Sequence, residues 1–358
     1  MAHRPITRRS RLIGSLLAVA VVATACGGGG DEAAPADASG GGAGSQEPIS
    51  LTFGTTGTPV VYGSLMMLVA QEEGLLDKYN LDVTMQNFSN GADSIRAVIG
   101  GQVDMALTST SSLVNVSGQG AELKGVVGMD KPDYYIASTD PDITSCEDLE
   151  GQTIGVDQTG GARYNSTVTM LASCGLTVDD VKFVNFAGPP VIQALVQGQV
   201  KLANLHYDEE AFIETTTDVN VEEVISLVKD VNPETHYVLQ VVTDDYLAKN
   251  REAVVRMTAA YIEANKFIRD PANSDRFAEI AAKFNGQPIE VAQKSVALFL
   301  DFDFWPEGSG LEDEAKFMGV VKEQVAAGAI TEAQAPTYED LIDPSVYDEA
   351  LALVESTN

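Results

Sequence analysis

Two hydrophobic periodicities alternate along the chain after its first fifty residues. Residues 51–54, 81–86 and 103–107 have the apolar pattern of strands, whereas 61–71 and 92–99 carry apolar residues at helical spacing. Strands that alternate with helices at this spacing form right-handed βαβ units on a mainly parallel sheet. The pattern therefore predicts an α/β fold.

The same pattern recurs about one hundred residues later. Ile-x-Ala-Val-x-x-Gly-Gln-Val-x-Met-Ala at 95–106 is matched by Ile-x-Ala-Leu-x-x-Gly-Gln-Val-x-Leu-Ala at 192–203. Other short motifs recur in the same order, and all offsets lie between 97 and 102 residues. A repeat of this kind predicts two similar α/β lobes.

The repeat also predicts the domain boundaries. Extended segments at 134–137 and 236–241 are the expected crossings between the lobes, and helical patterns after residue 252 complete the first lobe. Lobe one is therefore assigned to 49–134 and 240–358, and lobe two to 135–239. Two crossings form a hinge beside a cleft, and ligands of open α/β sheets bind at the strand ends that line such a cleft.

The first 48 residues predict export. Residues 1–25 combine a basic start with an apolar run that is too short to span a bilayer, as in a signal peptide. The segment 26–48 is rich in glycine and small polar residues, which predicts a flexible tether. Small residues before Cys26 resemble the lipobox of bacterial lipoproteins. This resemblance implies a lipid on Cys26 that holds the protein at the outer face of the plasma membrane; the alternative is simple secretion.

Charge argues against one class of partner. Lys and Arg number 22 against 52 Asp and Glu, a formal net charge of −30. Such a surface repels phosphate backbones, so we expect no nucleic-acid partner. The net charge does not decide the sign of a small ligand in a cleft, because single side chains and helix ends dominate there.

The two remaining cysteines suit one disulfide. A predicted strand at 152–156 precedes a predicted helix at 162–173, which returns antiparallel to it. The end of the helix, at Cys174, therefore lies near the start of the strand, where Cys146 sits. An exported protein is in disulfide-permissive surroundings. We predict a Cys146–Cys174 bridge, with two buried free thiols as the alternative.

Hydroxyl-rich segments at 55–59 and 108–112 follow predicted strands of the first lobe. Hydroxyls at such places either cap the next helix or donate to a ligand. We expect a set of these hydroxyls, with a tyrosine of the helix that follows the first segment, to contact the ligand: Thr56, Thr58, Ser109, Thr110 and Tyr62.

A glycine-rich loop in the second lobe predicts an anion site. Gly160 and Gly161 let backbone N–H groups approach a ligand closely. Arg163 follows in the first helical turn, where a cation opposes the helix dipole unless an anion is bound. Its guanidinium matches carboxylate or sulfonate oxygens. The alternative is a solvated Arg163 or an ion pair with one of the acids.

The segment after the last strand of the repeat contains His206 and Asp208. An acid here either holds an amino group of the ligand or forms a solvated helix N-terminus. The three histidines, His3, His206 and His236, are too scattered to predict a metal site, and no cofactor is expected. No nucleophile–base set predicts catalysis. Trp305 is either core or an aromatic edge of the cleft.

Three motifs carry a resemblance to a known family. They are Glu-Gly-Leu-Leu-Asp-Lys-Tyr at 73–79, Gly-Gln-Val-Asp at 101–104, and Asp-Leu-Glu-Gly-Gln-Thr-Ile-Gly-Val at 148–156. Together with the lipoprotein start, they resemble the extracytoplasmic binding proteins of ABC importers for sulfonates, taurine, nitrate and thiamine-precursor pyrimidines. The resemblance implies a two-lobed periplasmic-binding-protein fold (type II, Venus flytrap) with C-terminal helices. It also implies a non-enzymatic monomer with a small-molecule ligand, a membrane permease and an ATPase as partners.

Two classes of ligand remain open. Arg163 favours a small organic anion, such as a sulfonate, nitrate or an aromatic carboxylate. Tyrosines favour an uncharged heteroaromatic, such as a pyrimidine thiamine precursor or a flavin, if they face the cleft: Tyr62, Tyr134, Tyr135, Tyr164 and Tyr207. A surface enzyme or sensory module on the same fold is the alternative from another class. In the binding role, a ligand that bridges both lobes favours the closed state.

Overall fold

The structure, a computed structural model, describes residues 47–57, 60–129, 131–157, 159, 161–186, 190–232 and 235–357. The predicted signal peptide, Cys26 and nearly all of the predicted tether lie outside these residues, as do Thr58 and Gly160. Among the described residues, each helix is too short or too polar to cross a bilayer.

Two five-stranded mixed sheets form the framework. The first contains β1 (Ile49–Thr56), β2 (Leu81–Phe88), β3 (Met105–Ser109), β4 (Leu123–Met129) and β10 (Val238–Thr243), in the order β2-β1-β3-β10-β4. The second contains β5 (Tyr134–Ser138), β6 (Thr153–Val156), β7 (Lys182–Asn185), β8 (Leu202–His206) and β9 (Glu222–Ser226), in the order β7-β6-β8-β5-β9.

The two sheets match strand for strand. In each, three strands are parallel and the fourth in spatial order is antiparallel to both of its neighbours. The registers match as well, because Gly54 lies opposite Ala106 in the first sheet and Gly155 lies opposite Ala203 in the second. The prediction of two similar α/β lobes from an internal repeat is confirmed.

Helices cover the faces and edges of the sheets. The α-helices that lie between strands are α1 (Leu65–Glu72), α2 (Leu75–Lys78), α3 (Gly91–Ile99), α4 (Thr110–Gly118), α5 (Ala162–Ser173), α6 (Pro190–Val196) and α7 (Tyr207–Thr216). The C-terminal set is α8 (Asp244–Arg269), α9 (Ser274–Asn285), α10 (Ile289–Asp301), α11 (Glu314–Ala326), α12 (Tyr338–Leu341) and α13 (Ser345–Thr357). Single turns of other helix types lie at Tyr62–Ser64, Cys146–Leu149, Leu227–Val231, Pro271–Asn273 and Glu332–Gln334.

The repeated Gly-Gln-Val motif has a structural role. Gly101 and Gly198 follow equivalent helices and have φ angles of 67° and 68°, in the left-handed region that glycine adopts without strain. In the first copy, the Asp104 carboxylate accepts hydrogen bonds from the Thr52 backbone N–H at 2.7 Å and from the Thr52 hydroxyl at 2.8 Å. These contacts fix the turn before β3 against the neighbouring strand β1.

The chain passes twice between the sheets, between β4 and β5 and again between β9 and β10. The segments predicted as crossings are strands, since β5 belongs to the second sheet and β10 to the first. Tyr134 begins β5 and Tyr237 precedes β10, and their hydroxyls lie 3.2 Å apart. The two connections therefore meet side by side. The lobe boundaries predicted at residues 134 and 239 stay a prediction.

The structure also decides the predictions for the two cysteines and for Trp305. Cys146 and Cys174 form a disulfide, with Cα atoms 5.7 Å apart, so that prediction is confirmed. Trp305 is 1% exposed and packs against Phe277, Phe299 and Phe304. Core packing, rather than an aromatic cleft edge, is therefore its role.

Candidate functional site

A cavity of about 360 Å³ lies where strands of both sheets end. The first-sheet wall is formed by residues at and after the ends of β1, β2 and β3, and the second-sheet wall by residues at and after the ends of β6, β7 and β8. Both sets are carboxyl ends, the position at which open α/β sheets bind ligands.

The first-sheet wall carries hydroxyl and amide groups that are already engaged in local structure. Thr56 donates its backbone N–H to the Ser64 hydroxyl at 2.9 Å, and the two hydroxyls lie 3.2 Å apart. Ser109 caps α4 by accepting the backbone N–H of Ser112 at 3.2 Å. Asp93, the acid on this wall, receives hydrogen bonds from Asn90 at 3.0 Å and Arg96 at 2.5 Å.

Residues 108–112 do not form a loop after β3, so that part of the prediction is wrong. The strand β3 continues to Ser109, and Thr110 is already the first residue of α4. The Thr110 side chain is fully buried, where its hydroxyl lies 2.6 Å from His236 Nδ1 and bonds the Tyr237 carbonyl. Thr56 and Ser109 therefore line the cavity and Thr110 does not, since its hydroxyl joins α4 to the segment before β10.

Arg163 lies on the second-sheet wall, in a buried ion pair. Its two terminal nitrogens donate to the two Glu209 oxygens, each at 2.7 Å, and one of them also bonds the Asn204 carbonyl at 2.7 Å. Both charged side chains are 10% exposed. Burial opposes the charged forms, but the pairing outweighs it, so the pKa of Arg163 is raised and that of Glu209 is lowered. The guanidinium is therefore neutralised within the chain.

The N-terminus of α5 is occupied by a second acid of the same chain. The Asp157 carboxylate accepts the backbone N–H groups of Arg163 at 3.2 Å and Tyr164 at 2.9 Å. Gly161 is required for this approach, because a Cβ atom there would lie 2.4 to 2.6 Å from the carboxylate. Burial raises the Asp157 pKa, and the two amides oppose that shift. The helix end predicted to bind an anion thus already holds one.

His206 and Asp208 complete the charged part of this wall. His206 Nδ1 lies 2.8 Å from an Asp133 oxygen, and its ring packs on Tyr134 with centroids 4.4 Å apart. Among the described residues, no hydrogen bond is made to the Asp208 carboxylate. Burial and the neighbouring Glu209 charge raise the pKa of Asp208 to about 7. The Asp208 carboxylate is therefore half-buried at the cavity without a hydrogen bond from the described residues.

The tyrosines divide into two groups. Tyr134 lines the cavity, where Tyr237 and Phe186 join it. The others pack away from the cavity surface: Tyr62 against Phe299 at 4.8 Å, Tyr135 stacked on Tyr207 at 5.0 Å, and Tyr164 against Phe183 at 5.0 Å. Burial raises the pKa of Tyr62, which keeps it neutral. The cavity therefore has an aromatic surface that contains one of the expected tyrosines, Tyr134, together with Tyr237 and Phe186.

The chain matches a known family model over more than half of its length. The NMT1/THI5 like model covers residues 63–274 of the 358. The chain belongs to this family. The matched range includes the second-sheet wall, the part of the first-sheet wall that follows β2 and β3, the disulfide and both connections between the sheets of this NMT1/THI5-like protein.

A relative in Brucella abortus (strain 2308) is similar in sequence. It is named only as a binding protein, and it is 26% identical over 225 residues, which is 62% of this chain and 68% of the relative.

Solved structures share the fold at low sequence identity. The nitrate-binding protein NrtA of Synechocystis PCC 6803 has a TM-score of 0.70 and 12% identity over 86% of this chain and 90% of its own. The aliphatic sulphonate-binding protein SsuA of Escherichia coli has a TM-score of 0.66 and 19% identity, over 83% and 93%. A ligand-binding component of an ABC-type import system from Staphylococcus aureus has a TM-score of 0.68 and 14% identity, over 84% and 99%. This NMT1/THI5-like protein thus has the two-lobed periplasmic-binding-protein fold, with C-terminal helices.

Proposed function

We propose that this protein is the solute-binding component of an ABC importer and closes its two lobes on a small solute. The fold is that of solved binding proteins, and the matched relative is named as a binding protein. The cavity lies between walls from both sheets, as expected for a small-molecule site. The proposal assigns the protein no catalytic step.

Export and anchoring belong to the same proposal. Residues 1–25 act as the signal peptide, Cys26 carries the lipid, and the segment up to residue 48 is the tether. The mature protein then works as a monomer at the outer face of the plasma membrane. Its first lobe comprises residues 49–134 and 240–358, and its second lobe comprises residues 135–239. It delivers its solute to a permease that an ATPase drives.

The ligand we propose is an amino-substituted or cationic heteroaromatic molecule of the pyrimidine class. The observation that carries this choice is that both predicted anion donors are occupied: Glu209 binds the Arg163 guanidinium and Asp157 binds the α5 amides. An acidic ligand would have to displace a buried carboxylate from each. Among the described residues of this wall, both Arg163 and His206 are paired with carboxylates, which disfavours a sulfonate, nitrate or an aromatic carboxylate as the ligand.

The cavity offers matching groups to such a ring. Tyr134, Tyr237 and Phe186 provide aromatic faces, which pack well against planar rings. Asp208 provides an acceptor for an amino or amidinium N–H group, and a charge-assisted hydrogen bond of this kind is among the stronger polar contacts. Hydroxyl and amide groups of the first-sheet wall, such as Ser109, complete the polar contacts. A ring held from both sides favours the closed state by its differential affinity.

A thermal-shift screen tests this proposal. The purified protein is heated with aminopyrimidines, flavins, alkanesulfonates, nitrate and aromatic carboxylates in parallel. A ligand present at 100 times its dissociation constant should add about 2.7 kcal/mol of stability. We expect aminopyrimidines to raise the melting temperature and sulfonates to leave it unchanged.

Variants assign the shift to the cavity. Asp208→Asn should remove the response to aminopyrimidines, whereas Glu323→Gln should keep it. Glu323 is a suitable control because it is also half-buried, accepts a hydrogen bond from the Asn232 side chain at 2.8 Å and does not line this cavity. A response to sulfonates alone would contradict the proposed ligand class, and no response to any compound would contradict the receptor role.

A further inference from the structure

Three side chains meet beside the second-sheet wall, two of which line the cavity. Asp133 precedes β5, His206 ends β8, and Asp208 lies in the first turn of α7. Each offers one ligand atom, and these atoms all lie within 4.8 Å of one another. Histidines alone are indeed scattered along the sequence, but the fold adds two carboxylates to one of them.

The cluster is held in place by its surroundings. Asp133 is 2% exposed and His206 is 6% exposed, and they are linked at 2.8 Å. The imidazole packs on the Tyr134 ring, and the backbone N–H of His206 donates to Glu209 at 2.9 Å. Rigid orientation of this kind by surrounding groups is typical of sites in which a histidine binds a metal.

The carboxylates of this cluster favour the binding of a cation. Asp133 and Asp208 contribute two carboxylates, while the neighbouring guanidinium of Arg163 is already bound by Glu209. His206 and Asp208 also line the cavity, so an ion can reach them from solvent and keep water molecules as further ligands. Ligand identity, access and room for water are the conditions that a metal site must meet.

We propose that Asp133, His206 and Asp208 form a binding site for a divalent transition-metal ion of the Zn²⁺ type. One imidazole nitrogen with two carboxylate oxygens suits Zn²⁺ and its neighbours in the first row, at about 2.0–2.2 Å from each ligand. Ca²⁺ requires six to eight oxygens and is not matched by this set. The site goes beyond the proposed transport of an organic solute, because it binds its ion without that solute.

Titration calorimetry with Zn²⁺ tests the site directly. The full-length protein, free of any affinity tag and cleared of metal with a chelator, is titrated with ZnCl₂ and, in parallel, with CaCl₂. We expect one Zn²⁺ per chain and no comparable binding of Ca²⁺. Asp133→Asn, His206→Gln and Asp208→Asn should each weaken Zn²⁺ binding at least tenfold, because each removes one ligand.

Two controls separate loss of the site from loss of the fold. Glu323→Gln removes a half-buried carboxylate elsewhere and should bind Zn²⁺ as the wild type does. Thermal unfolding in the presence of chelator should show that each variant is folded. If the wild type binds no Zn²⁺, or if Asp133→Asn and Asp208→Asn bind it with unchanged affinity, the proposal is overturned.

The test of the metal site can be told apart from the test of the proposed transport function. Asp133 does not line the cavity, so Asp133→Asn should lose Zn²⁺ yet still respond to aminopyrimidines in the presence of chelator. Failure of Zn²⁺ binding with an intact aminopyrimidine response overturns only the metal site. Zn²⁺ binding without any solute response overturns only the proposed solute.

Discussion

The two walls of the cavity share a strand order but differ in chemistry. The first-sheet wall presents hydroxyls and amides, such as Thr56 and Ser109, and its acid Asp93 is paired with Arg96 at the surface. The second-sheet wall concentrates charged groups, including the buried Arg163 and the half-buried Asp208. The same backbone repeat therefore supplies neutral hydrogen-bonding groups on one side and the ionic groups that set the ligand's charge on the other.

The second-sheet wall shows that a wall can contain a cation and still disfavour an anion, because the cation is already paired within the chain. Glu209 neutralises the charge of Arg163 in an ion pair, and Asp157 accepts hydrogen bonds from the N-terminal backbone amides of α5. What remains open to the cavity is the carboxylate of Asp208. The sign of the site follows from the partners that each charge has, and not from the presence of an arginine.

Removal of Arg163 should have the largest effect of all changes to the charged wall. Arg163→Ala leaves Glu209 buried without its partner, which typically costs about 3–5 kcal/mol. We expect a loss of this size in the free energy of unfolding, measured by urea denaturation. The double variant Arg163→Met Glu209→Gln should recover much of it, because it leaves no unpaired buried charge.

An exposed pair provides the comparison for this measurement. Lys249 and Asp245 form an i,i+4 ion pair at 2.6 Å with both side chains largely exposed. Lys249→Ala should change stability little, since solvent screens such pairs. Equal effects of Lys249→Ala and Arg163→Ala would show that the Arg163 pair is not a buried structural contact.

Asp208→Asn should separate binding from stability. The substitution removes the proposed acceptor of the ligand's amino group, and hydrogen bonds to charged groups contribute about 1.5–3 kcal/mol. We therefore expect at least tenfold weaker aminopyrimidine binding in calorimetry. In chelator and without ligand, the variant should be at least as stable as the wild type, because it removes a half-buried carboxylate that has no hydrogen bond from the described residues. A variant that is less stable and binds normally would contradict this assignment.

Gly161→Ala tests the occupied helix end. The new Cβ atom would lie 2.4 to 2.6 Å from the Asp157 carboxylate, so the carboxylate must leave the α5 amides. Loss of such a cap costs about 1 kcal/mol, which should appear in urea denaturation. Gly319→Ala is the matched control, because it lies inside α11 and the new Cβ would have no atom within 4 Å beyond its chain neighbours and the local helix backbone. Alanine there should stabilise the helix.

Thr56→Val should have the smallest effect and should sharpen the contrast between the walls. It removes the hydroxyl that lies 3.2 Å from Ser64 but keeps the backbone bond to the same residue. We expect a loss of about 1 kcal/mol or less in stability, with no change in which compounds bind. A change in ligand class on this substitution would show that the neutral wall also sets the charge preference.

Local patterns in the sequence predict most of the framework. The helix predicted at 162–173 is observed as Ala162–Ser173, because its apolar spacing, the preceding glycine and the following Cys-Gly agree. The C-terminal helices are also found. Thr243 caps α8 at Asp244, but Asn250 interrupts this helix with non-helical backbone angles (φ −129°, ψ 32°), so the helix predicted from 252 corresponds to the part of α8 after the kink. The four-residue helix α12 is too short to give a periodic signal.

The site is less predictable, because its pairs are distant along the chain. Arg163 and Glu209 are 46 positions apart, and nothing local indicates which of 52 acids reaches the guanidinium. Asp133 and His206 are 73 apart. The sequence does contain an indication for Asp157, because an acid directly after a predicted strand and five residues before a helix start can cap that helix. The indication for Glu209 is weaker and consists only of its place at the third position of α7.

The most direct test of the central claim compares two ligands with the same ring and opposite chemistry. Calorimetric titration of the protein with 4-aminopyrimidine and with pyrimidine-4-carboxylate isolates the effect of the substituent. If Glu209 neutralises the Arg163 guanidinium and Asp157 occupies the amides at the N-terminus of α5, the amino compound should bind and the carboxylate should not. Binding of the carboxylate alone, lost on Arg163→Met Glu209→Gln, would contradict the account.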